Sequence, residues 1–233
     1  MLALTFPTGG FLHRHGVERH PQGVAQPAPV RVPIPVPVRL ADFGQTQPSD
    51  DVRQLANWAV FTRDHKDLSM IFVDKKDAKV YVLDHLGRLQ GAAPVLLGSA
   101  IGDDTVPGIG DKPIAQVLPE ERTTPAGRFI AEPGMNARGE DVVWVDYDAA
   151  VSMHRVLTTD PKEQRLERMA SPNAQDHRIS YGCINVPRAF FEQWLAPTVR
   201  QGGAVIYVLP EIRSMQQVFG SFDVESPSRM AQR

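Results

Sequence analysis

Cysteine is nearly missing from this chain: Cys183 is the single one in 233 residues, so no disulfide can form within it. No apolar run approaches the roughly 18–20 residues that would span a bilayer. Residues 1–12 have no basic start and no adequate apolar stretch, because Pro7, Gly9 and Gly10 interrupt them. They do not read as a secretory signal. Charge of one sign is not in excess either. A formal net charge of −2 offers nucleic acid no general footing. Internal repeats are lacking. What is left, 42% apolar and 22% charged residues, is ordinary globular composition, long enough for one self-sufficient core.

Proline, by contrast, is plentiful and uneven. Of the twenty, Pro21, Pro27, Pro29, Pro33, Pro35, Pro37 and Pro48 crowd the first 48 residues. The Val-Pro alternation from Val30 to Val38 favours extended polyproline II, so residues 1–48 are expected to form a disordered Pro-rich tail. His13, His15 and His20 lie in it with only Glu18 as a nearby carboxylate, too thin a donor set for a metal. Order is expected from Ser49. Val52, Leu55, Ala56, Ala59 and Val60 recur at helical spacing behind Asp50 and Asp51, predicting a leading helix within 49–65. The runs 70–73, 80–83, 94–98, 128–130, 142–145, 150–153 and 204–209 read as strands, and 162–169 as a short helix. The sequence therefore predicts a mostly β domain over 66–211 with one or two helices, and a polar tail over 212–233.

The informative segment runs from Arg178 to Pro187: Arg-Ile-Ser-Tyr-Gly-Cys-Ile-Asn-Val-Pro. Taken alone, a lone cysteine is as readily a small buried hydrophobe as a nucleophile. Its neighbours tilt the reading. Gly182 permits a tight turn and close approach of a substrate backbone, and Pro187 suits the start of a helix. Free amides at such a place can lower a thiol pKa and hold an oxyanion. An active thiolate needs a base, usually histidine. His154 ends an apolar strand, a rigid position; His177, six residues before Cys183 in a polar loop, is the rival. Histidine before cysteine is the reverse of the papain-like order.

Ser180-Tyr181-Gly182-Cys183-Ile184-Asn185 resembles the Ser-His-Gly-Cys-hydrophobic-Asn/Arg signature of the L,D-transpeptidase catalytic domain, the YkuD type. Ile71-Phe72-Val73-Asp74-Lys75 with Val80-Tyr81-Val82 is similar to that family's opening hairpin. Thr124-Pro125-Ala126-Gly127-Arg128-Phe129 is similar to its Thr-Pro-x-Gly-x-Phe element, and Met153-His154 falls where the family has its strand histidine. The likeness extends from about residue 66 to 210. It implies a β-sandwich domain performing acyl transfer on peptidoglycan stem peptides, without metal or organic cofactor. Carried over, Cys183 is the nucleophile and His154 the base, the carbonyl of Arg155 orients the imidazole, and the amides of Gly182 and Cys183 receive the oxyanion. Tyr181, Ser180, Asn185 and Arg178 are the expected substrate-binding residues, with Asn185 also suited to bracing the turn; Arg128 and Arg155 are further candidates for a stem-peptide carboxylate. Carbapenems acylate the family.

Two departures stand out. Tyr181 replaces the family's second histidine, and the 28 residues between His154 and Cys183 exceed its common spacing, making 158–178 an insertion. Stem peptides, and an acceptor wall protein, are the implied partners. The implied location is periplasmic or wall-facing, with a signal or anchor encoded upstream and the Pro-rich 21–48 stretch as spacer. Two other readings remain: a carboxypeptidase or amidase sharing the same acyl-enzyme, and a non-catalytic wall-binding module that kept the fold.

Overall fold

A computed structural model describes residues 39–226. The Pro-rich 21–38 stretch and the His13, His15 and His20 group lie outside the described residues. Helix α1 spans Asp50–Thr62. Ser49 caps it, its hydroxyl accepting from the Val52 amide at 3.3 Å, and Asp50 and Asp51 complement the helix dipole in the first turn. Arg63, in the left-handed region at φ 57°, ends it.

Ten strands follow among the described residues: β1 Ser69–Asp74, β2 Lys79–Leu83, β3 Leu89–Pro94, β4 Leu97–Gly98, β5 Gly127–Met135, β6 Asp141–Asp146, β7 Val151–Arg155, β8 Arg178–Ser180, β9 Ile184–Val186 and β10 Ala204–Val208. Eight make one mixed sheet in the order β3-β2-β1-β10-β5-β6-β7-β9, and β4 pairs with β8. The fold is mostly β and sheet-dominated.

Alternation along the central strands decides their register. Ile71 and Val73 of β1, Val80 and Val82 of β2, and Ile206 and Val208 of β10 enter one core cluster. Their neighbours Met70, Phe72, Tyr81, Leu83, Val205 and Tyr207 enter another, beneath Leu55, Ala56 and Ala59 of α1. A one-residue slip would exchange the two sets. Each fully buried side chain of this kind is worth roughly 1.5–3 kcal/mol, so a slip that mismatches several of them is heavily disfavoured. The first cluster draws on strands from both ends of the sheet order, β2 and β9 among them. The isolated bridge Leu96–Asn185 links the chain just before β4 to β9. Strands from both halves of the long sheet thus line one core, joined there by Leu97 of β4.

Several expectations need correction. Beyond α1 and α2 (Arg165–Ala170), a helical run covers 188–202 and another helix Met215–Phe219, so the helices exceed one or two. The 188–202 run widens to a π turn at Phe191–Leu195, just before Pro197, which has no amide hydrogen to donate back into the helix. The strand read at 94–98 is two elements; β3 was missed because Leu-Gln-Gly-Ala-Ala-Pro has no β-branched residue. The tails also shrink. Phe43 is buried, and Val224 packs in the same cluster. Asn57 on α1 accepts from the Ala41 amide at 3.0 Å and donates to Glu225 at 2.9 Å, tying down both flanks. A Ser214–Gln217 capping box starts the last helix, a signal present in the sequence at 212–233. Among the described residues, no helix is long and apolar enough to cross a membrane.

Candidate active site

Strands β7 and β9 pair in parallel, Met153 opposite Ile184 and His154 opposite Asn185. Pleating sends Val151, Met153, Ile184 and Val186 into the core. Ser152, His154 and Asn185 take the other face, and Cys183, one residue ahead of β9, joins them there. The half-buried Cys183 Sγ lies 3.8 Å from Ser152 Oγ and 3.6 Å from the Ala150 carbonyl. Ser152 was not singled out by its type, although a polar residue two positions before His154 on a strand marks the same face.

The imidazole is fixed by its own strand. His154 Nδ1 lies 2.8 Å from the Arg155 carbonyl. A carbonyl only accepts, so Nδ1 carries the proton and Nε2 is the basic nitrogen left for the thiol. Burial, the largest influence on Cys183, pushes its pKa up; the hydrogen bond and charge of His154, with the backbone and hydroxyl of Ser152, outweigh it and bring the thiol below its ordinary value. Burial likewise pushes His154 down, but the hydrogen bond and charge of Cys183 and the Arg155 carbonyl leave it raised, against the opposing charge of Arg165. Both directions favour a thiolate–imidazolium pair.

The turn holding Cys183 is braced from within. Gly182 has φ +127°, and a Cβ there would sit 2.7 Å from the Thr123 carbonyl, so only glycine fits. Ser180 Oγ accepts from the Gly182 amide at 3.1 Å and donates to the Cys183 carbonyl at 2.6 Å. The Gly182 amide is therefore engaged, and of the two expected oxyanion donors the Cys183 amide is the one suited to the task.

Three of the expected substrate contacts have polar atoms engaged within the chain. Ser180 is buried and closes the turn. Asn185 is buried, donating to the Cys183 carbonyl at 3.4 Å and accepting from Arg165 Nη1 at 2.6 Å. Arg178 is held by Glu211 and by the Lys75 carbonyl at 2.8 Å. Arg128 and Arg155 are also neutralised within the chain, by Asp64 and by Asp141 with Glu192. Tyr181 alone of the expected four stays accessible, at 40% exposure, with the Arg122 guanidinium 4.2 Å from its ring centre. The rival His177 is buried, with Nδ1 2.8 Å from the Val95 carbonyl and Nε2 3.0 Å from that of Ser171. Neither nitrogen is left for Cys183. The 158–178 segment does reach the site, through Arg165 on Asn185. Beside His154 opens a cleft of about 380 Å³, lined by Asn136, Asp141, Arg155, Leu157 and Arg188 among others. Among the described residues, no cluster of three or more His, Cys, Asp or Glu could hold a metal ion.

No family model matches the chain, and no curated protein does. Solved structures similar to it include the helical cell shape determining protein Pgp2 from Campylobacter jejuni, at 15% identity and a TM-score of 0.42 over 64% of this chain and 50% of that one. The catalytic domain of the E. faecium L,D-transpeptidase is 16% identical, with a TM-score of 0.36 over 61% of this chain and 98% of that one. The L,D-transpeptidase (Yku) from Stackebrandtia nassauensis is 14% identical, with a TM-score of 0.34 over 69% and 65%. The chain spans about half the length of the Pgp2 chain. Likenesses of this size assign no activity; function has to be argued from the site itself.

Proposed function

We propose that this chain is a cysteine acyltransferase of cell-wall metabolism, working on peptidoglycan stem peptides through a thioester on Cys183. The observation that carries the reading is the His154 Nδ1–Arg155 carbonyl bond, which leaves Nε2 to a half-buried cysteine whose pKa is lowered. The resemblance of the Ser180–Asn185 hexapeptide to the L,D-transpeptidase signature supplies the substrate class.

In this mechanism the Cys183 proton moves to His154 Nε2, and the thiolate attacks the carbonyl joining an L-centre to a D-centre. The Cys183 amide holds the oxyanion. As the C–N bond breaks, the imidazolium returns its proton to the departing amine, which leaves by the cleft beside His154. An acceptor amine, or water, then loses a proton to His154 and attacks the thioester, releasing the thiolate. An amine acceptor gives a cross-link or a protein attachment; water gives a carboxypeptidase. A periplasmic or wall-facing location belongs to the same proposal.

Incubation of the purified protein with disaccharide tetrapeptide, followed by mass spectrometry, tests it. A cross-linked or trimmed muropeptide is expected, with a transient acyl adduct on Cys183. Unchanged substrate and unmodified protein over a prolonged incubation would reject it.

Tyr181 stands where the family signature has a histidine, and its phenol hydroxyl offers a hydrogen-bond donor in place of an imidazole. Its role here is to donate a hydrogen bond toward the oxyanion or an acceptor carboxylate. Tyr181→Phe is expected to slow acylation by about 10²-fold, the usual cost of one such donor. The pH at which activity rises should stay put, since the Cys183–His154 pair sets it. Wild-type kinetics for the variant would show the hydroxyl to be idle.

A further inference from the structure

Lys75 is a lysine with no exposed surface. Its Nζ donates to Asp103 at 2.8 Å, to the Gly102 carbonyl at 2.6 Å and to the Thr124 carbonyl at 2.9 Å, with Glu211 at 3.5 Å. Glu211 pairs in turn with Arg178. Two cations and two carboxylates thus share one buried site, an arrangement that hydrophobic residues of similar volume would often match or better for stability alone. Such a cluster invites a reason other than stability.

Its outlets supply one. Arg178 opens β8, which leads straight into the turn bearing Cys183, and its guanidinium also holds the Lys75 carbonyl. Thr124, itself fully buried, uses its hydroxyl twice: Oγ1 accepts from the Gly98 amide at 2.9 Å and donates to the Gly182 carbonyl at 2.9 Å. The charge cluster therefore reaches the Cys183 turn at two points, through Arg178 at the head of β8 and through Thr124 at Gly182.

The geometry points to Thr124 as a positioning residue for Cys183, its backbone anchored by the buried Lys75–Asp103 pair and its hydroxyl setting where Gly182 places the thiol against His154. This rests on the reading of Cys183 as a nucleophile, and it concerns a residue the sequence marks only as the start of the Thr-Pro-x-Gly-x-Phe element.

The test follows the rate of Cys183 alkylation by iodoacetamide against pH in the full chain, with thermal melting as a check on folding. The groups that face the thiol are His154 and Ser152 from β7 and the Ala150 carbonyl, while Arg165 acts on His154. None of them is altered by a change at Thr124. Thr124→Val keeps the shape and loses both hydroxyl bonds. Freed from Gly182, the thiol drifts from His154, so the profile is expected to move up by about one unit and neutral-pH alkylation to fall about tenfold. Thr124→Ser keeps Oγ1 and should restore the wild-type profile. A folded valine variant with the wild-type profile overturns the proposal. So does a folded serine variant that is shifted, whatever the valine variant does. The reading of Cys183 fails separately: wild-type protein would then alkylate with the profile of an ordinary exposed thiol.

Discussion

Cys183→Ala is expected to abolish turnover and all covalent capture while leaving the fold intact. Besides its hydrogen bond with His154, the thiol makes loose polar contacts at 3.8 Å to Ser152 and 3.6 Å to the Ala150 carbonyl, and it is half-buried. Losing one sulfur there removes little packing, so melting should change by only a few degrees at most. A carbapenem is a convenient probe because it leaves its whole mass on the enzyme. The wild type should gain one drug mass and the alanine variant none. Equal labelling of the two proteins would end the cysteine mechanism.

His154→Ala should be the next most damaging change, slowing acylation by about 10²–10⁴-fold, the usual worth of a positioned acid–base group. The pH profile adds a second reading of the same pair. Cys183 is lowered from its ordinary value of 9.0 and His154 raised from its ordinary 6.5. Ionisation of the thiol should therefore begin at lower pH than in a free cysteine, and the imidazolium should persist to higher pH than in a free histidine. Activity is expected to form a bell between those two titrations. In His154→Ala the rising limb should move up toward an ordinary thiol. His177→Ala should leave the profile in place and instead lower the melting temperature, since that ring bridges the Val95 and Ser171 carbonyls. A reversed ranking of the two variants would hand the role of base to His177.

The proposed nucleophile and base, Cys183 and His154, each carry a local mark in the sequence: a glycine before the cysteine, and an apolar strand before the histidine. The strands read at 70–73, 80–83 and 204–209 were legible as short uninterrupted apolar runs, buried on both faces. What stayed hidden depends on partners distant along the chain. Arg178 reads as a free cation until Glu211, 33 residues on, is seen beside it. Lys75 directly follows the first strand of the hairpin, and nothing beside it in the sequence announces Asp103, 28 residues on, as its partner. Ser180 and Asn185 look fit to meet substrate, yet both spend their polar atoms on the Cys183 turn. Phe43 and Val224 sat in stretches too polar and Pro-rich to suggest packing, and only the surface of α1 gives them a place. Side-chain type was visible in every case; what was missing was the tertiary neighbour that decides whether a polar group faces substrate or backbone.

The parallel pairing of β7 with β9 has a consequence for how far this site tolerates change in the chain around it. Contour length plays no part in setting the distance between Cys183 and His154. His154 and Cys183 are brought together by strands in fixed register, Met153 to Ile184 and His154 to Asn185, however long a path the backbone takes between them. That path here includes a short helix, two 3₁₀ turns and β8, the second strand of a separate pair. Closing a longer excursion costs little, about 0.6 kcal/mol for each doubling of a flexible loop, and none of that cost falls on the catalytic geometry. The excursion is the part of the site that can vary in length while the chemistry stays constant, and through the Arg165–Asn185 bond it reaches to within one residue's span of the sulfur.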